Sequence, residues 1–578
     1  MMLCVRHLTL FLAASILLLV SAAASEGPIV STQNGDIRGE ILKSFMGNEF
    51  ASFKGIPYGA PPLGSLRFRP PEPHGGWQGV RNATEHGSKC LQFNTFSGAL
   101  EGDEDCLFLN VYTARLPTAT EKVRLPVLVW LHGGAFIFGD GDASPLFGPE
   151  YFMDQQVVLV TINNRLGPFG FLTTGDEAAP GNYGLHDQRL ALQWVRDNIA
   201  AFGGGPSLVT LFGESAGGAG VGLHVLSPLS KGLFARAISQ SGASFCNFAA
   251  SGEPQGDLAR RHAELLGCPS GSSQDVVACL REKPAAEVMM AVQKLETDLV
   301  VGLPIVYKAR VDAESDTPFL PEDPHVLLRE GRFSRVPWLH GMTHDEGAFM
   351  IGTHSAESPP KYSSRDWNVW AKDILAISKV TEDPPAMAEK IYRFYFDQNP
   401  VGEGNLERLV EVYTDRTIAA CTSKEADLAS AHTPVYRYVL NHMGPGRQSF
   451  AKILSAILGT ADGSVRDYGV SHTDDLLYLF KNGLAPPVAV GSEEHKMIRF
   501  MVSLWISFAR QGYPSTDVVS MPMWPVYTAE DRQHMWLNNQ PSVGSAAFSE
   551  RIAFWRGLEI NESWRAPQGG STLQKDEL

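Results

Sequence analysis

The sequence predicts an α/β protein with a large, mostly parallel central sheet, flanked by helices and carrying helical cap insertions. Three observations predict it. Val127 to Leu131 and Val157 to Ile162 are continuous apolar runs of strand length, the pattern of strands buried on both faces. Between such strands stands an amphipathic helix pattern from about Asp187 to Phe202, with Leu190, Trp194, Val195 and Ile199 at helical spacing. Gly213-Glu214-Ser215-Ala216-Gly217 then joins a strand-like run, Leu208 to Phe212, to residues small enough to begin a helix. Alternating apolar strands and amphipathic helices build a sheet covered on both faces, and ligands of such sheets sit beyond the carboxyl ends of the strands.

From the first residue onward, Arg6 precedes the apolar run Leu8 to Val20, and Ser21-Ala22-Ala23-Ala24-Ser25 offers a small-residue cleavage site. Residues 1–24 therefore read as a signal peptide cleaved near Ala24. Residues 25–570 read as a single domain, and 571–578 as a tail ending in Lys575-Asp576-Glu577-Leu578, the signal read by the ER retrieval receptor. Together the two ends predict a protein of the ER lumen, where Asn82-Ala83-Thr84 and Asn561-Glu562-Ser563 would be glycosylation acceptors. At 578 residues the chain can bury a large core, and a net charge of −15 argues against nucleic acid or an anionic membrane as partner. No later stretch reaches spanning length. Beyond Cys4 there are six cysteines, too few for a disulfide scaffold and without metal-site spacing. Neither a metal nor an organic cofactor is expected.

The Gly59-Ala60-Pro61-Pro62-Leu63-Gly64 stretch reads as a stiff surface connection. From about 255 to 330, helix-like segments at Ala259 to Leu266 and Ala285 to Leu295 suggest an insertion over the core. Strand-like Val336 to Leu339 resumes the sheet, 366–430 is mostly helical, and Val435 to Leu440 is again strand-like. A core-packed amphipathic helix over 494–510 and Trp524-Pro525-Val526-Tyr527 close the domain.

In a strand that turns abruptly into a helix, small residues at Gly213 and Gly217 make the turn sterically possible and leave Ser215 Oγ exposed at its tip. A serine nucleophile needs a base, an acid that orients the base, and donors for the oxyanion. In this type of fold the order is serine, acid, histidine. Glu346 follows a core strand and precedes Gly347, with Asp345 as a rival acid. His472, entering an apolar run from the small-residue loop Gly469-Val470-Ser471, is the leading base; His344 and His442 compete. His132-Gly133-Gly134 directly follows a strand, so the Gly133 and Gly134 amides, with that of Ala216, could converge on a developing oxyanion.

These residues, with Phe53-Lys54-Gly55-Ile56-Pro57-Tyr58, Glu104-Asp105-Cys106-Leu107, Asn182-Tyr183-Gly184-Leu185-His186-Asp187 and Asp345-Glu346-Gly347, resemble a type-B carboxylesterase of the carboxylesterase and cholinesterase family of α/β-hydrolases. The resemblance runs from about Val30 to Gly557 and implies the α/β-hydrolase fold and hydrolysis of carboxylic esters. It implies Ser215 as nucleophile, Glu346 as acid, His472 as base, an oxyanion hole at Gly133, Gly134 and Ala216, and Ser241 near the triad. It also implies disulfides Cys90–Cys106 and Cys268–Cys279. The chain departs from the cholinesterases in a short Cys90-to-Cys106 loop without tryptophan, which disfavours choline esters. Cys421 stands where those proteins begin a long-range disulfide, but the expected partner position near Ile552 has no cysteine. Cys246 and Cys421 are therefore expected to be unpaired, buried small hydrophobes. The substrate expectation is a small to medium uncharged ester; a lipase, an acylglycerol hydrolase or a hormone-ester hydrolase is the alternative, and a non-catalytic binding protein is disfavoured because all three triad positions are filled.

Overall fold

The computed structural model describes residues 27–560 apart from 95–96, 143–145, 251–254, 296–298, 301–302, 305, 353–366, 368–370, 373–374, 379, 444–448, 459–466 and 559. The expected signal peptide, the Asn561 sequon and the C-terminal signal lie outside the described residues.

Among the described residues the main sheet has eleven strands. They are β1 (Glu40–Lys43), β2 (Glu49–Pro57), β3 (Phe108–Thr113), β4 (Leu125–Leu131), β5 (Val158–Ile162), β6 (Gly204–Glu214), β7 (Arg236–Gln240), β8 (Trp338–Thr343), β9 (Val435–Leu440), β10 (Gln533–Leu537) and β11 (Ser542–Ser545). Their spatial order is β11-β10-β9-β8-β7-β6-β4-β5-β3-β2-β1. Strands β10 through β5 in that order are mutually parallel. The antiparallel pairs lie at the two edges, β10 with β11 on one side and β5-β3-β2-β1 on the other.

Alternation within single strands explains this placement. Val127, Val129 and Leu131 of β4 enter one hydrophobic core, while Leu128 and Trp130 enter another on the opposite face. Leu211 and Phe212 of β6, and Ala237 and Ile238 of β7, divide in the same way. Strands so apolar on both faces are stable only when helices cover both. On one face lie α1 (Tyr183–Asn198) and α2 (Ala216–Leu226), and on the other α6 (Glu493–Gln511), whose Met497, Met501, Leu504, Trp505 and Phe508 are buried. Helix α6 starts at Ser492, whose side chain accepts from the His495 amide, and ends at Gly512 with φ 84°, a capped start and a left-handed stop.

Helix α1 begins four residues before the predicted start, so Asp187 lies inside it. Its carboxylate is fully buried and grips Arg165, with Nε and Nη2 at 2.8 and 2.6 Å and the Arg165 amide at 3.0 Å. It thereby fixes the loop after β5.

A third core holds Trp367, Ile391, Phe396, Leu409, Val412 and Tyr413. It supports the cap-side helices α3 (Leu406–Thr414), α4 (Ala420–Ser430) and α5 (Phe450–Leu458). Between α3 and α4 the chain makes one π-helical stretch, Asp415–Ala419. The insertion supplies helices at Gly256–Leu265, Ser273–Glu282 and Ala285–Val292. None of the described helices is long and apolar enough to cross a membrane.

Disulfides join Cys90 to Cys106 and Cys268 to Cys279. Against expectation, Cys246 is also joined to Cys421, with Cα atoms 5.2 Å apart. Strands β7 and β8 are neighbours, so the loop after β7 meets the helical stretch that leads into β9. The two sulfurs are brought together across 175 residues, a juxtaposition set by sheet order and carried by no spacing rule.

Candidate active site

At the carboxyl end of β6 the backbone reverses into α2 through Ser215, which holds φ 57° and ψ −122°. A non-glycine residue keeps such a conformation only where its surroundings overdetermine it. Here they do. A Cβ on Gly217 would overlap the Leu131 carbonyl oxygen, and one on Gly213 would lie 2.6 Å from the Gly217 carbonyl and 2.7 Å from that of Leu131. Both glycines are thus required by the approach of β4 to the turn. The Ser215 amide donates to the Gln240 carbonyl at 2.9 Å, tying the tip of β6 to that of β7.

Glu346 follows β8. Its Oε1 accepts from the Thr343 amide at 2.7 Å and from Ser241 Oγ at 2.6 Å, and its Oε2 lies 2.5 Å from His472 Nδ1. The carboxylate is 2 % exposed, and its three partners leave it one orientation. Asp345 does something else. Its amide donates to the Val470 carbonyl at 2.9 Å, and its Oδ2 accepts from the Val470 amide at 2.9 Å. A Cβ on Gly469, which has φ +99°, would overlap this carboxylate. Asp345 holds the histidine loop while Glu346 holds the ring. His344 faces Asp345, with Nδ1 2.8 Å from Oδ1, and the His442 ring lies beside Tyr478 with centroids 5.7 Å apart. Both rival histidines line a separate cleft with Asp345 and Glu493.

Two more carboxylates brace the His472 segment. Asp474 accepts from the Ser471 and Phe450 amides at 2.8 and 2.6 Å. Asp475 accepts from Gln240 Nε2 and Tyr438 Oη, each at 2.8 Å. Gln240 in turn accepts from Trp505 Nε1 at 3.0 Å, so one glutamine links the serine backbone, the histidine segment and α6.

Sequence reasoning missed Glu214. Its Oε1 lies 3.0 Å from His472 Nε2, the nitrogen opposite the one that faces Glu346. Burial pushes the Glu214 carboxyl up to about 8, although the His472 cation pulls it back. For His472, burial opposes the cation, but Glu214 and then Glu346 favour it more strongly and lift it to about 9. At 3.0 Å the two groups are close enough for their titrations to be coupled. The signal was present: Glu214 is the one charged residue ending the apolar run from Leu208.

The loop after β4 crosses directly above the serine, since a Cβ on Gly133 would sit 3.3 Å from Ser215 Cβ. Gly134 has φ +102°, and a Cβ there would overlap the Phe138 carbonyl, so glycine alone fits this loop. Among the described residues no protein acceptor takes the Gly133, Gly134 or Ala216 amide hydrogens. Three free donors beside the serine hydroxyl suit an oxygen that becomes negative.

Ser215, His472, Glu346 and the two glycines line a cavity of about 500 Å³. Phe138, Phe248, Phe349, Ile418, Phe450 and Leu454 give it apolar walls, while Lys89 and Asp140, 3.1 Å apart, are polar members of its lining. No tryptophan lines it among the described residues.

A profile of the carboxylesterase family matches residues 26–555. Venom carboxylesterase-6 of Apis mellifera is 33% identical over 554 residues, covering 93% of this chain and 95% of the relative. Juvenile hormone esterase of Tribolium castaneum is 34% identical over 577 residues, covering 94% and 96%. Cocaine esterase of Oryctolagus cuniculus is 34% identical over 552 residues, covering 92% and 96%.

Proposed function

The chain belongs to the carboxylesterase family and is a serine carboxylesterase, and we propose that Ser215, His472 and Glu346 are the triad that performs its reaction. The observation that carries this reading is the convergence, in one apolar cavity, of a strained, half-buried serine, a histidine fixed by Glu346 at 2.5 Å, and three unpaired amides. His472 takes the Ser215 proton as Oγ attacks the ester carbonyl. The Gly133, Gly134 and Ala216 amides hold the oxyanion, and protonated His472 gives its proton to the departing alcohol. Water activated by His472 then releases the acid and frees Ser215. Glu346 holds the imidazole in the tautomer with its proton on Nδ1, so that Nε2, the nitrogen beside Glu214, is the one that accepts the Ser215 proton, and it stabilises the cation. Ser241 is the positioning residue for Glu346 through its 2.6 Å bond.

The apolar walls support uncharged esters of small to medium size as substrates, and the lack of a tryptophan in the short Cys90-to-Cys106 loop supports disfavour of choline esters. The N-terminal apolar run and the C-terminal Lys-Asp-Glu-Leu support residence in the ER lumen, with the single domain spanning 25–570. Asn82, exposed with Nδ2 3.1 Å from Thr84 Oγ1, is the glycosylation acceptor we assign within the described part; Asn561 is the second.

The test is a pre-steady-state assay with an activated aryl ester. Wild-type enzyme should release a burst of one phenol per site. Ser215→Ala should lose the burst, and kcat should fall by roughly 10³- to 10⁶-fold. A burst retained by Ser215→Ala overturns the triad. Preference for aggregated triacylglycerol over dissolved short esters overturns the substrate class.

A further inference from the structure

We propose that the Cys246–Cys421 disulfide is a specificity-determining clasp that fixes two walls of the ester cavity against each other. The inference rests on the Ser215-centred reading of that cavity and adds the means by which its width is set.

The other two disulfides close loops of 16 and 11 residues, and none of their cysteines lines the ester cavity. Cys246–Cys421 joins segments 175 residues apart, and each segment carries cavity lining beside its cysteine. On the first, Asn247 and Phe248 directly follow Cys246. On the second, Thr417 and Ile418 stand four and three residues before Cys421, one helical turn away. That turn is the π-helical stretch Asp415–Ala419. A wide turn of this kind is rare and recurs at functional sites, because it re-aims side chains that a regular helix would point elsewhere.

A second link runs in step with the first. The Ser244 amide donates to Glu425 Oε1 at 2.8 Å, and Ser244 Oγ donates to the same oxygen. Ser244 and Cys246 are two residues apart on the loop, and Glu425 and Cys421 are four apart on α4. Two parallel ties prevent the loop from pivoting about either one. The loop begins at Ser241, which is bonded to Glu346, so the eight residues from Ser241 to Phe248 connect the triad acid to the cavity wall. Cys246 is fully buried. Cys421 is half-buried behind the Thr417–Ile418 lining, and the crosslink holds Phe248 and Ile418 at a set separation. A rigid wall favours the ester that fits it, because no ordering cost is added on binding, and it rejects larger groups.

The experiment compares kcat/KM for p-nitrophenyl acetate and p-nitrophenyl decanoate, with active sites counted by burst. Two variants remove the clasp, Cys246→Ser/Cys421→Ser and Cys246→Ala/Cys421→Val, the second refilling the apolar volume so that at least one folds. Cys268→Ser/Cys279→Ser removes a disulfide away from the cavity as the control. In the clasp variants the acetate-to-decanoate ratio should change by at least about fivefold, the scale on which a hydrophobic pocket discriminates a few methylenes, while the control keeps the wild-type ratio. A smaller change, or an equal one in the control, overturns the clasp; so does a non-reduced peptide map showing Cys246 and Cys421 as free thiols. Each of these results leaves the wild-type burst and its loss in Ser215→Ala unchanged, so failure of the clasp is distinct from failure of the triad.

Discussion

The cavity has two kinds of wall. One is built from strand ends: Leu131 leading into Gly133 and Gly134, Glu214 leading into Ser215, and Thr343 leading into Glu346. Its parts are fixed by backbone atoms that touch within a few residues of the functional group. The other is built from the cap, with Phe248, Ile418, Phe450 and Leu454 arriving from three segments far apart in the chain. Its geometry depends on packing against the third core and on a disulfide of long reach. The contrast teaches that reaction and selectivity are held by separate means. Chemistry sits where steric exclusion leaves the backbone one course, and selectivity sits where side chains and crosslinks can be exchanged without disturbing that course.

The strand-end wall should break all at once. Gly217→Ala places a methyl on the Leu131 carbonyl oxygen, in a part of the fold where neither backbone can yield. Overlap and strain of this kind lie in the severe class of substitutions, above about 4 kcal/mol. The expected outcome is loss of folded protein or of the burst, read by thermal melting and by active-site titration together. A stable Gly217→Ala enzyme with a full burst would remove the steric account of the turn. The proton chemistry of the same wall should yield a smaller, graded effect. Because Glu214 and His472 titrate as a pair, wild-type kcat/KM should rise with pH in two steps. Glu214→Gln leaves one titrating imidazole and removes the carboxylate that favours its cation. The profile should collapse to one step displaced to lower pH, by about one unit or tenfold in rate on the acid limb. A profile unchanged in shape and position would show that Glu214 is not coupled to His472.

This division also decides what could be read from the residues in order. The Gly-x-Ser-x-Gly turn, the glycine pair after β4 and the acid before Gly347 are local patterns, because each answers a local steric demand. The strands Val127 to Leu131 and Val435 to Leu440 were legible for a similar reason: two-sided burial writes an unbroken apolar run. The antiparallel edges were less visible. Strand β1 carries exposed and half-buried residues, and its place depends on its hairpin with β2. Choosing Glu346 over Asp345 required the family resemblance, since both carboxylates follow the same strand; the coordinates separate them by partner, ring for one and loop for the other. Glu214 was hidden within its own motif, and the pairing of Cys246 with Cys421 was hidden by distance, since it depends on β7 lying beside β8.

The cap-side wall should respond to pH through a group that the strand-end wall does not share. Glu425 is fully buried, and burial pushes its carboxyl up to about 7 even though two bonds from Ser244 favour the anion. In the unfolded chain the same carboxyl titrates near its ordinary value of about 4.3. Between those values the folded protein binds the proton and the unfolded chain has lost it. Stability from this group is thus fully present below about pH 4 and falls as pH rises toward 7. The loss is on the order of a few kcal/mol for a shift of this size. Glu425→Gln keeps an oxygen that can accept both Ser244 bonds and removes the titration. The melting temperature of wild type relative to Glu425→Gln should therefore decline from pH 5 to pH 8, with most of the decline below pH 7.5. A difference that stays flat or rises across this range would mean that the buried carboxylate is ionised throughout, and that the tie between the Ser244 loop and α4 is a charged one.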